Sequence, residues 1–362
     1  MGRRLLPTPH MLVRTLLIND VSQCAAQQVL LLLLAAGSPG GLFYFDAAFA
    51  SILTVEDIRR KTMGSVVLIT GASTGFGRDA AETLARRGHH VFATMRDVDG
   101  RNAEHRESLQ RLASSENIPL HVLELDVTDE ASVQNAVLRA LEQAGQLDVV
   151  INNAGFAGLG VTEAYTPEQF QQIFDVNLYG VVRVNRAVLP SMRQQRSGLL
   201  IHVSSAAGRV VVPGFGAYCA SKFALEALAD TYRFELQPFG IESVLVEPGI
   251  YRTPIFDRLM EPADAARLLD YGRAGEFVER VRSVFQNAIA ADDAPGPEEV
   301  TQAFVRLIEM PSQRPFRTVV SAPLAELLES YNATAEQLRP VVAQMFNVPE
   351  LAGLQRVEAA AE

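Results

Sequence analysis

The segment Ser65-Val-Val-Leu-Ile-Thr-Gly-Ala-Ser-Thr-Gly-Phe-Gly77 joins a short apolar run to three closely spaced glycines. The β-branched run at 65–70 is bounded by glycine, which predicts a buried parallel strand. A helical apolar pattern follows the glycines and ends near Gly88. Strand, glycine turn and helix in this order present backbone N–H groups and the positive end of a helix to a phosphate. The segment therefore predicts a phosphate-binding turn, although its Gly-x3-Gly-x-Gly spacing differs from the commoner Gly-x-Gly-x2-Gly.

The same order of strand and helix is repeated downstream. Short apolar runs predict further strands at 91–95, 121–125, 148–151, 199–203, 241–246 and 317–320. Helical patterns lie between them at 130–144, at about 166–189 and at 296–307. Strands that alternate with helices require right-handed crossovers and a parallel sheet covered on both faces. We therefore predict a single Rossmann-type, doubly wound α/β domain with a parallel sheet of about seven strands. Residues 323–346 are expected to add a C-terminal extension of two short helices, broken at Pro340.

The composition excludes several classes of protein. Of the 362 residues, 48% are hydrophobic and 20% are charged, which is enough apolar material for one large core. The net charge of −10 argues against a nucleic-acid-binding protein. The two cysteines, Cys24 and Cys219, and the six histidines show no ligand spacing, so we expect neither a disulfide framework nor a metal site. A reducing, cytoplasmic location follows from this cysteine usage.

Residues 1–63 differ from the rest of the chain. Three arginines precede the apolar run 29–36, and a Gly-Ser-Pro-Gly-Gly sequence separates that run from a second one ending at residue 45. The charge order is that of a signal peptide, but the apolar core begins late and is shorter than the roughly 20 residues that span a bilayer. Three interpretations stay open: a poorly structured extension, a membrane-surface anchor, and an export signal at 29–45. We expect three segments, at 1–63, 64–322 and 323–362.

Two residues four positions apart, Tyr218 and Lys222, indicate acid–base chemistry. On a helix they project from one face, and an ammonium beside a phenol lowers the tyrosine pKa from its usual value of about 10. Ser205 follows the predicted strand at 199–203, where its hydroxyl can bind the same substrate oxygen. The alternative is that Tyr218 and Lys222 occupy an ordinary solvated helix face.

The end of the second predicted strand bears on the choice of cofactor. Arg96 stands there with no acid at Met95. An arginine at this point of a dinucleotide fold can pair with a 2′-phosphate, whereas an acid would bind the ribose 2′-hydroxyl. NADP is therefore favoured over NAD. Asp97 beside Arg96 complicates this interpretation, and a solvated surface arginine is the alternative.

Other polar residues follow the remaining strands. Asp126 either accepts from an adenine amino group or caps the following helix. The Asn152-Asn153 pair closes the fourth strand and is expected to shape the cofactor site. Asn177 lies on the apolar stripe of a helix, where it is either a satisfied core amide or holds a water in a proton path.

Together these residues resemble the classical short-chain dehydrogenases/reductases, closely over 64–255 and less specifically to about residue 320. The resemblance implies a catalytic tetrad of Asn177, Ser205, Tyr218 and Lys222. It implies that NADP(H), with NAD(H) as the alternative, is bound by Gly71, Ser73, Thr74, Gly75, Phe76, Gly77, Arg96, Asp126, Val127, Asn153, Ala154, Gly155, Tyr218, Lys222, Pro248, Gly249 and Thr253. Many NADP-preferring members have a basic residue where this chain has Thr74, so the preference rests mainly on Arg96. The sequence Ala93-Thr-Met-Arg-Asp97 is similar to that of members acting on steroids and retinoids.

The resemblance implies reversible hydride transfer between a nicotinamide and a carbonyl or alcohol carbon. Ser205 and Tyr218 would bind the substrate oxygen, and Tyr218 would donate the proton. Lys222 would lower the Tyr218 pKa and hold the ribose, while Asn177 would position a water. A dimer or tetramer of the same chain is also expected. The rival functions are a non-catalytic dinucleotide-binding sensor or scaffold, and a lyase or epimerase on the same fold.

The substrate is expected to be apolar and bulky, such as a steroid, a retinoid or a long-chain ketone. This expectation rests on the apolar side chains in 210–215 and 251–285, and the alternative is that they form ordinary core or a dimer face. They are Val211, Val212, Phe215, Ile255, Phe256, Leu259 and Met260.

Overall fold

The computed structural model describes residues 64–311, 314–321 and 324–348. Residues 1–63, on which the three N-terminal interpretations rest, lie outside this part of the chain, and the predicted domain boundaries stay predictions. Among the described residues, no helix combines the length and apolarity needed to cross a bilayer. In the same ranges, no three metal-binding side chains come together.

One parallel sheet of seven strands forms the centre of the domain, in the order β3-β2-β1-β4-β5-β6-β7. The strands are β1 (Val66–Ile69), β2 (His90–Met95), β3 (Leu120–Glu124), β4 (Val149–Asn152), β5 (Gly198–Val203), β6 (Ile241–Pro248) and β7 (Arg317–Val320). Every neighbouring pair is parallel, which confirms the predicted doubly wound sheet. The strand order reverses between β1 and β4, and ligand crevices in such sheets lie at the carboxyl ends of the strands at this point.

Helices cover both faces of the sheet. They are α1 (Gly75–Arg86), α2 (Ala103–Glu116), α3 (Glu130–Ala144), α4 (Pro167–Phe174), α5 (Gly180–Gln195), α6 (Gly216–Leu236), α7 (Ala265–Asp270), α8 (Phe277–Ala290), α9 (Glu298–Glu309) and α10 (Ala325–Met345). One face packs against α1, α2 and α9, and the other against α3, α5 and α6. Because side chains alternate along a strand, Val67 and Ile69 of β1 join the first core, and Val66 and Leu68 join the second.

The helix predicted at 166–189 is interrupted. Thr166 and Gln169 form a capping box at the start of α4, as the sequence pattern indicates. A π-helical turn, Asp175–Tyr179, then separates α4 from α5, and it contains the buried Asn177. Such turns insert a residue into a helix and are frequent at functional sites.

The predicted break at Pro340 is wrong, because α10 runs through it. A proline inside a helix removes one hydrogen bond but does not end the helix when packing holds both halves. Here buried residues on either side of Pro340 face the domain, including Leu328 and Ala343. The Arg339 guanidinium also lies over the Phe234 ring, with 4.4 Å from its Cζ to the centroid.

Arg317 is the centre of a buried cluster that joins β7 to α6 and α10. Its guanidinium contacts Glu226 at 2.9 Å, Glu336 at 3.2 Å and Glu247 at 3.5 Å. Burial, and next the charge of Glu226, raise the pKa of Glu247. Asn332 of α10 donates a 2.8 Å hydrogen bond to Glu247 Oε2. The cluster therefore fixes α10 against the edge of the sheet.

We predict that Arg317→Met destabilises the fold by about 3–5 kcal/mol, because it leaves buried carboxylates without their cation. Urea unfolding of the two proteins measures this difference. The matched control is Arg306→Met on the exposed side of α9, which should change the free energy of unfolding by less than about 0.5 kcal/mol. A loss below about 1 kcal/mol for Arg317→Met would contradict the role given to this cluster.

Candidate active site

A cavity of about 900 Å³ opens at the carboxyl ends of the strands, where the strand order reverses. All the residues predicted to bind the cofactor line it except Gly77. Three of the four predicted tetrad residues, Ser205, Tyr218 and Lys222, line the same cavity. The fourth, Asn177, is buried behind its wall. The fold thus brings together residues that lie far apart in the sequence.

The glycine turn after β1 is held in place by the end of β4. Gly71 and Gly75 have φ of +68° and +57°, a conformation that favours glycine. The Asn153 side chain donates to the carbonyls of Thr70 and Gly71, at 2.9 and 3.1 Å. The Thr70 hydroxyl in turn accepts from the backbone N–H groups of Asn153 and Ala154. These contacts fix the turn directly below the N-terminus of α1, where a phosphate is favoured.

Gly77 supports the turn without lining the cavity. A Cβ added at this position would lie 2.5 Å from Asn153 Nδ2 and 2.6 Å from the Gly71 carbonyl oxygen. These are the atoms that hold the turn, so only glycine fits here without displacing them. The third glycine of the motif therefore serves close packing between α1 and the strand ends.

The loop after β2 binds the side chain of its own acid and places two arginines at the cavity. Asp97 adopts φ of +52°, and its Oδ2 accepts from the backbone N–H of Arg101 at 3.0 Å. Arg96 and Arg101 both line the cavity. Within the described ranges, neither guanidinium has a hydrogen-bond or ion-pair partner. Arg101 was missed at the sequence level, because its nearness to Arg96 depends on the loop conformation.

Asp126 lines the cavity but does not cap α3. Its Oδ1 accepts from the backbone N–H and the hydroxyl of Thr128, at 2.9 and 2.7 Å. The cap of α3 is instead Asp129, which accepts from the backbone N–H of Ala131. Of the two interpretations of Asp126, the capping one is therefore wrong. Val127 packs closely against Gly180, where an added Cβ would lie 2.8 Å from it.

Tyr218 and Lys222 lie on α6 with Ser205 opposite them, at the end of β5. The Ser205 hydroxyl accepts from the backbone N–H of Ala207 at 3.1 Å and contacts the Pro248 carbonyl oxygen at 3.5 Å. Lys222 Nζ donates a 2.7 Å hydrogen bond to the Val203 carbonyl and lies 5.7 Å from the centre of the Tyr218 ring. Both side chains are therefore directed to the end of β5 rather than to solvent.

Burial changes the pKa values of both groups. It raises the pKa of Tyr218 to about 12, although a hydrogen bond with Ser205 opposes this change. It lowers the pKa of Lys222 to about 8, against the charge of Glu226. The expectation that Lys222 lowers the tyrosine pKa below 10 is therefore wrong for the protein alone. The physical reason is that desolvation disfavours the charged form of each group.

Asn177 binds backbone and side-chain groups next to the cavity wall. Its Nδ2 donates to the Phe156 carbonyl and to the Ser221 hydroxyl, both at 3.0 Å, and its Oδ1 accepts from the Phe156 N–H. A Cβ added at Gly155 would lie 3.2 Å from Asn177 Oδ1 and 3.7 Å from Lys222 Nζ. Asn177 and Lys222 therefore approach the same glycine.

Aromatic and aliphatic side chains form the end of the cavity beyond Tyr218. Those that line it are Val210, Val212, Phe215, Ile255, Phe256 and Phe285. Phe285 bridges the others, with ring centroids 5.0 Å from both Phe215 and Phe256. The expected lining residues Leu259 and Met260 belong to the neighbouring apolar clusters but do not line the cavity, and Val211 is exposed. The sequence predicted that this end of the cavity is apolar, but it predicted only some of the residues that line it.

The sequence and the structure both match known proteins. The family model for short chain dehydrogenase matches residues 65–264. A 3-ketodihydrosphingosine reductase from Bacteroides thetaiotaomicron is 34% identical over 266 residues, which cover 73% of this chain and 90% of the relative. This chain belongs to the short-chain dehydrogenase family. It is therefore an NAD(P)-dependent dehydrogenase or reductase.

Other family members add to this assignment. The 17-beta-hydroxysteroid dehydrogenase type 1 from Homo sapiens is 34% identical over 274 residues, covering 73% of this chain and 80% of that enzyme. Retinol dehydrogenase 5 from Homo sapiens is 43% identical over 193 residues, which cover 52% of this chain and 57% of that enzyme. A short-chain dehydrogenase structure from Streptomyces avermitilis has a TM-score of 0.63 at 28% identity, covering 78% of this chain and 98% of that one. The steroid- and retinol-like resemblance found in the sequence is confirmed.

We predict that Gly77→Ala weakens NADPH binding at least about tenfold. The new methyl group must displace Asn153 or the Gly71 carbonyl, and this moves the turn that is expected to bind the phosphate. The loss of one hydrogen bond to the charged phosphate is worth about 1.5–3 kcal/mol. Fluorescence titration of NADPH measures the affinity. Gly275→Ala is the matched control, since an added Cβ there meets its nearest atom at 3.4 Å, an ordinary contact. Equal NADPH affinity for Gly77→Ala and the unchanged protein would show that the turn tolerates a side chain.

Proposed function

We propose that this chain is an NADP(H)-dependent oxidoreductase that interconverts a carbonyl and an alcohol on an apolar substrate, with Tyr218 as general acid and base. The observation that carries the proposal is the convergence of Tyr218, Ser205 and Lys222 on one cavity that also holds the glycine turn. The turn fits a dinucleotide, because Gly71, Thr74 and Gly75 line the cavity at the N-terminus of α1, where a phosphate is favoured.

The dinucleotide, when bound, supplies or accepts the hydride. The substrate oxygen then needs a proton donor, and Tyr218 and Ser205 are the hydroxyls placed to bind it. A Tyr218 pKa of about 12 keeps the phenol protonated at neutral pH, which is the state that carbonyl reduction requires. Alcohol oxidation requires the phenolate, which the charged form of Lys222 favours.

Lys222 and Asn177 have supporting roles in this proposal. The Lys222 amine is held by the Val203 carbonyl at the cavity wall, where it would hold the ribose hydroxyls of a dinucleotide. Asn177 keeps its amide directed to Phe156 and Ser221, at the π-helical turn behind Gly155. From there it can position a water that connects Lys222 to solvent.

We predict that Tyr218→Phe lowers the turnover of a carbonyl substrate about 10²–10⁴-fold, because it removes the proton donor. NADPH affinity should stay within a few-fold, since the phenyl ring keeps its packing. A panel of steroid, retinoid and long-chain ketones supplies the substrate, with NADPH consumption as the readout. The matched control is Tyr179→Phe, because Tyr179 is exposed and outside the cavity.

Three results would contradict this proposal. Undiminished turnover by the Tyr218→Phe variant would remove Tyr218 from the mechanism. Stoichiometric NADPH binding with no oxidation by any ketone would favour the sensor or scaffold, and product formation without net change in NADPH would favour a lyase or epimerase.

The preference for NADP rests on Arg96 and Arg101. Both guanidinium groups line the cavity at the end of β2 and have no partner in the described part of the chain. Asp97, which would repel a 2′-phosphate, is committed to the backbone of the loop instead. An arginine pairs with a phosphate through two parallel hydrogen bonds. Two arginines without a partner among the described residues, and an acid bonded to its own loop, therefore favour the phosphorylated cofactor.

We predict that Arg96→Met and Arg101→Met each reduce the preference for NADPH over NADH about 10–100-fold, the equivalent of one charged hydrogen-bonding contact. Steady-state kinetics with both cofactors measure this ratio. Arg111→Met is the matched control, because Arg111 lies on the exposed side of α2 and outside the cavity. If Arg96→Met leaves the NADPH-to-NADH preference unchanged, Arg96 is a solvated surface residue that does not bind the cofactor.

An apolar substrate is supported by the aromatic side chains beyond Tyr218 and by the relatives named for steroid, retinol and 3-ketodihydrosphingosine chemistry. Arg258 also lines the cavity, so its substrate end is not wholly apolar. The homo-oligomeric state and the cytoplasmic location expected from the sequence stay predictions.

A further inference from the structure

The outer side of α10 carries an exposed apolar stripe. Its members are Leu327, Tyr331, Leu338, Val341, Val342, Met345 and, just after the helix, Phe346, which expose between 44% and 76% of their surface. The spacing from Leu327 to Tyr331, Leu338, Val342 and Met345 keeps them on one helix face. At 1.5 Å per residue, the 21 residues of α10 are about 31 Å long. Contiguous exposed apolar surface of this kind marks an interaction site.

The stripe begins at the mouth of the cavity. Leu324, directly before α10, lines the cavity and is itself partly exposed. The Tyr331 ring lies 4.5 Å from the Arg209 guanidinium, and the next residue, Val210, lines the cavity. Val211 beside it is 72% exposed. The first part of the stripe therefore lies close to two apolar residues of the cavity lining, Leu324 and Val210.

The charges on α10 and the residues next to it indicate which kind of surface the stripe binds. Between Leu324 and Val348 the sequence has three glutamates and a single cation, Arg339, which is buried. Helices that bind anionic lipid carry lysine or arginine on their polar face, and this helix has none exposed. An uncharged surface therefore fits the stripe better than an anionic one.

We propose that this stripe docks the protein on a zwitterionic lipid surface, from which an apolar substrate passes directly into the cavity. The proposal rests on the apolar substrate class given above. A lipid surface accounts both for the stripe and for its position next to the cavity, because the same surface is a source of apolar substrate. A second copy of the chain would cover the stripe but would also approach the opening through which the substrate must enter.

Co-flotation of the full chain with phosphatidylcholine vesicles tests the proposal. The unchanged protein should float with the vesicles. In the Leu338→Glu/Val342→Glu variant the vesicle-bound fraction should fall at least about tenfold, because each carboxylate must leave water at the lipid surface. The Gln337→Glu/Gln344→Glu variant places the same two charges on another face of α10, at exposed positions, and should float normally. Met345→Glu provides a second variant of the stripe.

Several results would overturn the proposal. One is failure of the unchanged protein to float. Another is flotation of the stripe variants, which would assign lipid binding to another part of the chain. A third is a dimer that does not float and becomes monomeric in the stripe variants, which would assign the stripe to a second copy.

The test is independent of the proposed chemistry. Flotation requires no turnover, so loss of NADPH consumption with normal flotation would contradict the proposed function alone. Turnover of a small water-soluble ketone should be equal in all the variants, since none of the changed residues lines the cavity.

Discussion

The tie between the ends of β1 and β4 is the contact on which the site depends. Asn153 donates two hydrogen bonds to Thr70 across the point where the strand order reverses, and a third to the carbonyl of Gly71. Parallel strands place their carboxyl ends at one edge of the sheet, but this does not fix the loops that follow them. The side-chain contacts do so, and they leave the glycine turn and the Tyr218 region facing one cavity.

Burial, rather than a neighbouring charge, has the largest effect on the pKa values of Tyr218 and Lys222. Tyr218 and Lys222 are both taken out of water, so each is shifted towards its neutral form. The shifts have opposite signs, because the charged form is the deprotonated one for tyrosine and the protonated one for lysine.

The C-terminal helix contributes to the fold and to the surface at the same time. Its inner side carries Asn332 and Glu336, which join the cluster around Arg317 and Glu247. Its outer side is apolar and leads to the cavity mouth at Leu324. Because the inner side is fixed by charged and hydrogen-bonded groups, the outer apolar side chains are free to meet another surface.

The sequence alone determined the order of strands and helices, the parallel sheet and the residues that gather at its carboxyl edge, because apolar periodicity and glycine spacing are local properties. The tertiary structure decided what depends on contacts between distant segments. Arg101 joins Arg96 only through the left-handed turn at Asp97, and α10 continues through Pro340 because both its halves pack on the domain. The spacing of Tyr218 and Lys222 also led to the wrong direction for the Tyr218 pKa. A spacing of four residues places two side chains on the same side of a helix, but it does not show how deeply they are buried, and burial sets this pKa.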